Sequence, residues 1–383
     1  AAFEGCSRAQ VRSICKRHWQ TPSVQGFLNA VPMGTFVSAS PDFKGPFRAA
    51  KGVNDDQYVP PGTELPPHIL EQCGRRGMYT DDTCACLAVA ASVVSHRGVV
   101  ASHVARTCAE LFRDNEAFRG CPPTAKKVMA ATLSGVPADQ TGLPPYFAFD
   151  GGSFANGGAM RISPLALAYR YAPPEVLREA VEQAVLASHR HPEAVDFAVV
   201  QAAAVQYALL HDVSSFSPHE LLEGLSSQCQ TTAMQTLIDQ LAGIFQDVEG
   251  DVDAHAQLVP LLASQPRPGS SMDFQIASVH MAPCVLWVVC HHFADPRLAV
   301  TAAIDLGGDT DTTATMVGAI VGALHGTEWC SDWAAELENG PHGRDYALQL
   351  ADSLIELDLQ DRPAQEAESD RQRCDRRWLR WRR

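Results

Sequence analysis

Two short acidic blocks contain the residues of this sequence that are best suited to chemistry. The first is Gly307-Gly308-Asp309-Thr310-Asp311-Thr312-Thr313, which runs into an apolar helical segment. Its two carboxylates lie two residues apart beside threonine hydroxyls, and oxygen ligands of this kind suit Mg²⁺ or Mn²⁺. An ordinary helix cap, which needs only one such side chain, explains the block equally well. The spacing alone leaves both interpretations open.

The second acidic block has the same layout. Tyr79-Thr80-Asp81-Asp82-Thr83 also precedes an apolar segment, Ala85–Val94. Adjacent carboxylates at a helix start repel each other unless a cation lies between them, although the helix dipole offsets part of that cost. A charged cap is again the alternative. Two such blocks in one chain favour a pair of divalent cations more than either block does alone.

A third block suggests an anion-binding turn. Ser153-Phe154-Ala155-Asn156-Gly157-Gly158-Ala159-Met160-Arg161 places an Asn-Gly-Gly turn at the start of a helix. The backbone N–H groups of such a turn can bind phosphate. Many loops share this composition, so the block is a weak signal by itself.

Helical patterns must position these blocks, because strand signals are weak along the whole chain. Apolar residues recur at helical spacing, and prolines mark several helix starts. No internal repeat is present, and the sequence predicts an all-α protein with one domain. A loop is expected at Ser134–Gly158, and the segment Ala254–Ser271 is expected to be broken by prolines. The predicted helices are Ala85–Ser95, Val99–Asn115, Ala125–Leu133, Pro173–His189, Pro192–His211, two within Pro218–Glu249, Ser278–His292, Thr312–His325 and Arg344–Leu357.

Composition and charge exclude several classes of protein. The chain of 383 residues is 46% apolar and 19% charged, which argues against disorder. Its longest apolar stretches fall short of the roughly 20 residues that a membrane span needs. The net charge of −14 predicts poor general or sequence-specific binding of nucleic acid, because affinity for phosphate comes from Lys and Arg.

The twelve cysteines are scattered, without a C-x-x-C pair. This pattern disfavours zinc fingers and predicts reduced, mostly buried thiols in an intracellular protein. The N-terminus lacks the apolar core of a signal peptide, although an already trimmed transit segment would fit as well.

The three blocks, in this order and at these separations, resemble the ADP-ribosylglycohydrolase family, which includes the ADP-ribosyl-acceptor hydrolases and the dinitrogenase-reductase-activating glycohydrolases. The resemblance extends from about Gly26 to Gly326. The Gly-Gly-Asp-Thr-Asp-Thr block, followed by a helix with small residues, is highly specific for the family. The Asn-Gly-Gly-Ala-Met-Arg block most resembles the branch that removes ADP-ribose from serine and degrades poly(ADP-ribose).

The resemblance implies a single compact orthogonal helical domain with a central binuclear metal cleft that holds two Mg²⁺, with Mn²⁺ as an alternative. The metal ligands implied by motif match are Thr80, Asp81, Asp82, Asp309, Asp311 and Thr312. The implied substrate contacts are Gly120, Ser153, Phe154, Ala155, Asn156 and His189. His189 has a simpler alternative, a histidine at a helix end on the surface. Phe147, Phe149 or Phe154 would stack on adenine or ribose, or else only pack on the body.

The chain departs from the family in its first block. Relatives carry a Gly-Asp pair in a glycine-rich helix, whereas here Thr35 replaces the Asp and Pro32 interrupts the helix. In the serine branch a Glu lies over the metals, seven residues after that Asp, and the matching position here is Asp42. Asp42 is one methylene shorter than Glu. It either does the same job, reaches a metal through water, or does neither.

The chain is predicted to divide into an N-terminal extension (1–25), a helical domain (26–358), and a charged linker with an Arg/Trp-rich tail (359–383). In the tail, Trp378 and Trp381 lie between arginines. One interpretation is contact with nucleic acid, poly(ADP-ribose) or a membrane surface. The favoured alternative is a disordered end, or a helix that docks on the acidic body.

The predicted function is Mg²⁺-dependent hydrolysis of the O-glycosidic bond that links ADP-ribose to a protein, with serine-linked or polymeric ADP-ribose favoured. Asp42, Asp81 and Asp311 are the candidate proton-transfer residues, because the acid or base must lie near the leaving oxygen or the water. The alternatives are a non-catalytic ADP-ribose-binding module and a hydrolase of O-acetyl-ADP-ribose or of arginine-linked ADP-ribose. The expected partners are ADP-ribose and ADP-ribosylated proteins, and the expected state is a monomer.

Overall fold

The structure is a computed structural model that describes residues 6–9, 11–12, 79–246, 253–335, 337–357 and 359. The family's first block, with Thr35 and Asp42, lies outside the described residues, and so does the Arg/Trp tail. The predictions made for those residues, and the division into an extension, a domain and a tail, stay predictions.

Helices dominate the described part of the chain, which confirms the all-α prediction. They are α1 (Asp81–His96), α2 (Ala101–Arg119), α3 (Pro123–Leu133), α4 (Ala138–Thr141), a 3₁₀ helix (Asn156–Arg161), α5 (Ser163–Ala168), α6 (Pro174–Val185), α7 (Pro192–Leu210), α8 (Pro218–Ser227), α9 (Thr232–Gln246), α10 (Ala254–Ser264), α11 (Ser278–His292), α12 (Pro296–Asp305), α13 (Thr310–His325), a second 3₁₀ helix (Glu328–Cys330), α14 (Ser331–Ala335) and α15 (Arg344–Ile355). The strands of the described part are β1 (Cys6–Ser7) and β2 (Gly307–Gly308), which pair antiparallel.

Several helices differ from the sequence prediction, among them α5 and α14, where no helix was predicted. Helix α12 was not predicted, although Asp295 caps it by accepting from Leu298 N at 3.0 Å and Pro296 occupies the first turn, where no backbone N–H is needed. The short helix α4 lies inside the predicted loop. Helix α10 continues through Pro260, where a break was expected. Its buried leucines, of which Leu258 is one, compensate for the hydrogen bond that proline removes.

Helix α7 lies at the centre of the helical body. Nearly all of its side chains are buried, and α5, α6, α11 and α13 pack around it. By length and composition it is the one helix of the described residues that qualifies as a membrane span, but 78% of its apolar window is buried inside the protein. A core helix of a folded domain passes the same test, so this helix is weak evidence for a span. The cysteines between residues 79 and 359 of the described part are free and mostly buried, as predicted.

One buried carboxylate joins three helices at this centre. Asp196 of α7 accepts from Arg178 Nη2 of α6 at 2.8 Å, and from the backbone N–H groups of Gln230 at 3.0 Å and Thr231 at 2.7 Å, just before α9. The carboxylate therefore fixes the chain just before α9 and neutralises a largely buried guanidinium.

Removing this carboxylate should destabilise the fold strongly. We expect Asp196→Ala to lower the free energy of unfolding by about 3–5 kcal/mol in urea titrations, because it leaves Arg178 buried without its counter-charge. The control is Glu182→Gln, since Glu182 contacts the same Arg178 at 3.5 Å from a more exposed position. That change should cost about 1 kcal/mol or less, and equal losses in the two variants would contradict the role given to Asp196.

Candidate active site

A cleft of about 410 Å³ brings the three sequence blocks together. Its walls come from α1, α2, α3, the first 3₁₀ helix and the start of α13. The predicted site residues that line it are Asp81, Gly120, Ser153, Phe154, Ala155, Asn156, His189, Asp309, Asp311 and Thr312. Thr80 and Asp82 lie against the same acidic wall, while Asp42 is outside the described residues.

The first acidic block lies at the start of α1. Thr80 is the N-cap residue, and its Oγ1 donates to Asp82 Oδ2 at 2.9 Å. The Asp82 side chain is buried, and its Oδ1 has no hydrogen-bond partner among the described residues. A buried carboxylate oxygen without a donor is costly, so this position calls for a cation or a proton.

The second acidic block is held by a turn that glycine makes possible. Gly307 and Gly308 have φ values of +78° and +79°, and a Cβ at Gly308 would collide with the side chain of Gln275. Gln275 Oε1 accepts from Asp309 N at 3.1 Å. Asn156 Nδ2 donates to Asp309 Oδ2 at 2.7 Å and to Gln275 O at 3.1 Å. The side chain of Asn156, predicted to line the substrate path, therefore also positions Asp309.

Electrostatic repulsion links the two acidic blocks. Burial, followed by the charge of Asp311, raises the pKa of Asp82 to about 7. Burial and the charges of Asp311 and Asp82 raise the pKa of Asp309 well above its ordinary value. The hydrogen bond from Thr80 to Asp82 and the one from Asn156 to Asp309 lower the pKa of each carboxyl only in part. The wall therefore carries more negative charge than the protein groups around it neutralise.

The chemistry of these donors fits a hard divalent cation, because carboxylate and hydroxyl oxygens are the ligands that Mg²⁺ prefers. The unpartnered Oδ1 of Asp82 gives the fit a specific atom. No group of three or more His, Cys, Asp or Glu side chains in the described residues forms a complete metal site by itself. Threonine oxygens and water would therefore have to complete the coordination.

An ion pair far away in sequence holds the first acidic block in place. Arg119 Nη1 and Nη2 donate to Glu338 Oε1 and Oε2 at 2.6 and 3.0 Å, and Nη1 also donates to Tyr79 O at 2.8 Å. The guanidinium stacks on the Tyr79 ring, 3.4 Å from its centroid, and Glu338 accepts from Tyr79 N. Because Arg119 precedes Gly120 and Tyr79 precedes Thr80, this clamp fixes two walls of the cleft.

Sequence reasoning missed Gln275, Arg119 and Glu338 as site residues. Gln275 lies in a loop without a motif, and Glu338 is 219 residues from Arg119. The family motifs mark ligands and cleft-lining residues, whereas these three side chains hold such residues from behind. Only the position of Arg119 beside Gly120 gave a signal.

The third block is anchored by backbone pairing. Asn156 N donates to Ile276 O at 2.9 Å, Ser278 N donates to Phe154 O at 3.0 Å, and Ala155 forms a bridge with Ala277. The segment is therefore held as an extended strand-like wall of the cleft before the 3₁₀ helix begins.

Aromatic side chains form another part of the cleft wall. The ring centroids of Phe147 and Phe149 are 5.6 Å apart, and those of Phe149 and Phe154 are 5.8 Å apart. All three rings line the cleft, and Phe149 is 52% exposed. The rings pack on one another and also offer an accessible face for stacking, so both sequence interpretations fit. His189 lines the same cleft rather than the outer surface.

Comparisons with known proteins agree with this picture. The sequence profile of the ADP-ribosylglycohydrolase family matches residues 30–364. ADP-ribosylhydrolase ARH3 of Gallus gallus is 26% identical over 361 residues, covering 86% of this chain and 86% of its own length. ADP-ribosylhydrolase ARH3 of Homo sapiens is 27% identical and covers 65% of this chain and 71% of its own. The uncharacterized protein YegU of Escherichia coli (strain K12) is 28% identical, covering 66% of this chain and 72% of its own.

A solved structure named ADP-ribosylglycohydrolase-related protein complex has the same fold, with a TM-score of 0.53 at 20% sequence identity, over 82% of this chain and 93% of that one. The profile match spans most of the chain. Together these findings confirm the resemblance and the prediction of a glycosyl hydrolase: the chain belongs to the ADP-ribosylglycohydrolase family.

Proposed function

We propose that this chain hydrolyses the O-glycosidic bond between ADP-ribose and a protein, with Mg²⁺ bound in the cleft and with serine-linked or polymeric ADP-ribose as its preferred substrates. The observation that carries the proposal is that Asp81, Asp309 and Asp311 line one cleft together with residues of the Ser153–Arg161 block. The names of the relatives, ADP-ribosylhydrolases, support hydrolysis as the activity. The serine preference rests on the Asn-Gly-Gly-Ala-Met-Arg block.

The acidic wall supplies the metal ligands in this proposal. Two residue sets would hold the two cations, Thr80, Asp81 and Asp82 from the first block and Asp309, Asp311 and Thr312 from the second. When bound, Mg²⁺ supplies positive charge that orients the ribose hydroxyls and polarises water. A carboxylate next to that water can take its proton. Asp81 and Asp311 line the cleft and fit this role, and Asp42 stays the third candidate.

The remaining walls bind and orient the rest of the substrate. Ser153 and Ala155 line the path proposed for the diphosphate, and an exposed aromatic face at Phe149 suits stacking of adenine. ADP-ribose is anionic, so an acidic cleft repels it unless cations neutralise the carboxylates. The proposal therefore makes substrate binding, as well as turnover, dependent on metal.

Two alternative functions also need to be tested, because the family's first block is altered at Thr35 and Asp42. A chain that lost turnover there would be an ADP-ribose-binding module. A chain with a changed substrate preference would hydrolyse a small conjugate such as O-acetyl-ADP-ribose, or arginine-linked ADP-ribose.

The decisive experiment measures ADP-ribose released from serine-ADP-ribosylated and arginine-ADP-ribosylated peptides, with Mg²⁺ and with a chelator. We expect release from the serine peptide only with Mg²⁺, and a loss of about 100-fold or more in Asp309→Ala, because a group that organises transition-state charge is removed. Glu179→Gln, which changes an exposed carboxylate on α6, should keep the native rate.

Each other outcome selects an alternative. Release from the arginine peptide would overturn the serine preference. Turnover of O-acetyl-ADP-ribose but of neither peptide would identify the small-conjugate enzyme. Metal-dependent ADP-ribose binding without any turnover would identify the binding module.

The buried carboxylates also predict a pH dependence of stability. Because burial raises the folded-state pKa of Asp82 above its ordinary 3.8, to about 7, its contribution to stability is greatest in acid and is lost as the pH rises through about 7. The metal-free protein should lose thermal stability over this range, and Asp82→Asn should lose less. Mg²⁺ should raise the melting temperature more at about pH 8 than at about pH 5, since at the lower pH it competes with protons. If Mg²⁺ raises the melting temperature of Asp82→Asn as much as that of the native protein, Asp82 is not a metal ligand.

The Arg119–Glu338 clamp should affect turnover although Glu338 does not line the cleft. We expect Glu338→Gln to lower kcat about tenfold with a small change in KM, because a loosened Tyr79 misplaces Thr80 and Asp81. The control is Asp345→Asn, which breaks an exposed ion pair with Arg344 in the same region. If the two variants have equal kcat values, the clamp does not position the acidic block.

A further inference from the structure

The third block ends at a cation that the proposed mechanism leaves unused. Arg161 closes the 3₁₀ helix and lines the cleft. Among the described residues, its buried Nε has no hydrogen-bond partner and the guanidinium forms no ion pair with a carboxylate. The titratable groups that raise the pKa of Arg161 are the thiols of Cys108 and Cys121, while burial, the larger effect, lowers it. A guanidinium without a carboxylate partner is unusual in so acidic a protein.

The guanidinium is the first member of a short hydrogen-bonded chain. Arg161 Nη2 donates to Ser188 Oγ at 2.6 Å, and Ser188 Oγ lies 2.8 Å from His189 Nδ1. Ser188 Oγ is also 3.4 Å from Val185 O, a much weaker contact. The serine hydroxyl has one proton to give and already accepts from a cation. Distance therefore directs that proton to His189 Nδ1.

A neutral imidazole that accepts at Nδ1 carries its proton at Nε2. We propose, on the basis of the proposed function, that Arg161 and Ser188 are positioning residues that hold His189 in the Nε2–H tautomer, so that the ring donates a hydrogen bond to an acceptor oxygen of ADP-ribose. In this state His189 binds substrate and cannot take a proton from the attacking water.

Two further observations agree with this assignment. Burial and the charge of Arg161 lower the pKa of His189 well below its ordinary value, so the ring is neutral at physiological pH and its tautomer matters. Among the described residues, Nε2 has no hydrogen-bond partner, and it lies beside Gly157, another residue of the cleft wall.

The glycine pair of the third block has a steric role in the same arrangement. A Cβ added at Gly157 would lie 3.0 Å from His189 Nε2, and one at Gly158 would lie 3.3 Å from the Cβ and Cγ of His189. Side chains at these positions would press on the ring. The Asn-Gly-Gly sequence thus leaves the space that the donor ring occupies.

The tautomer is measured directly on the free protein. Long-range ¹H–¹⁵N spectra of histidine-labelled protein report which ring nitrogen is protonated. The signal of His189 is identified by its loss in His189→Gln. We expect a protonated Nε2 in the native protein and a mixture of tautomers in Ser188→Ala. Ser188→Thr keeps the hydroxyl and should restore the native pattern. A proton on Nδ1 in the native protein would overturn the proposal.

Binding of ADP-ribose with Mg²⁺, measured by calorimetry, tests the functional half in a double-mutant cycle. Ser188→Ala should weaken binding about tenfold, the cost of losing a well-placed donor to a charged acceptor. In His189→Gln, the glutamine amide places an N–H donor near the position of Nε2. Because an amide has no tautomers, this donor does not depend on Ser188. In that background Ser188→Ala should change affinity by less than about twofold.

The outcomes separate this inference from the proposed function. If Ser188→Ala lowers the affinity for ADP-ribose equally in both backgrounds, Ser188 has only a structural role and does not position His189. If native protein binds ADP-ribose without hydrolysing it, the proposed hydrolysis fails while the tautomer and the cycle remain decisive. If it does not bind ADP-ribose at all, the donor role falls with the proposed function, whatever the spectra show.

Discussion

Repulsion among buried carboxylates is the constraint on which the rest of the site depends. Asp82 and Asp309 lie at the starts of two different helices, and both face the charge of Asp311. Such an arrangement costs stability unless a cation or protons compensate it. The fold holds it by fastening each helix start from behind, through the Arg119–Glu338 clamp on one side and Gln275 on the other. Rigidity of the two helix starts thus preserves a charge cluster that would otherwise relax apart.

Sequence reasoning located the ligands better than their supports. The acidic blocks and the Asn-Gly-Gly block are local patterns, each tied to a helix start, so their residue types and spacing were readable. The same reasoning predicted the helix Ser278–His292 at its observed bounds, because its long apolar run indicates a buried helix. It missed Pro296–Asp305, a helix whose buried side chains are all short, and it expected a break at Pro260. Long-range pairs such as Arg119 with Glu338 have no local pattern, so only the folded chain reveals them.

The two walls of the cleft carry uncompensated charges of opposite sign. One wall carries carboxylates without enough positive charge, and the other carries Arg161, which has no carboxylate partner in the described part of the chain. Since the guanidinium does not pair with the acidic wall, the protein keeps the two charges apart. In the proposed function, a substrate with a diphosphate and a sugar would suit this separation, because its anionic and hydroxyl-bearing parts would meet different walls. Asn156 links the walls, since it lines the cleft and donates to Asp309.

The pairing of Cys6–Ser7 with Gly307–Gly308 joins segments that are very far apart in the chain. Arg8 and Asp305, which pair beside it, are separated by 297 residues. Contacts of such separation form late, because a long loop must close before they bring any stabilisation. The glycine turn before Asp309 is therefore expected to gain this support from the N-terminal segment only after the intervening chain has folded.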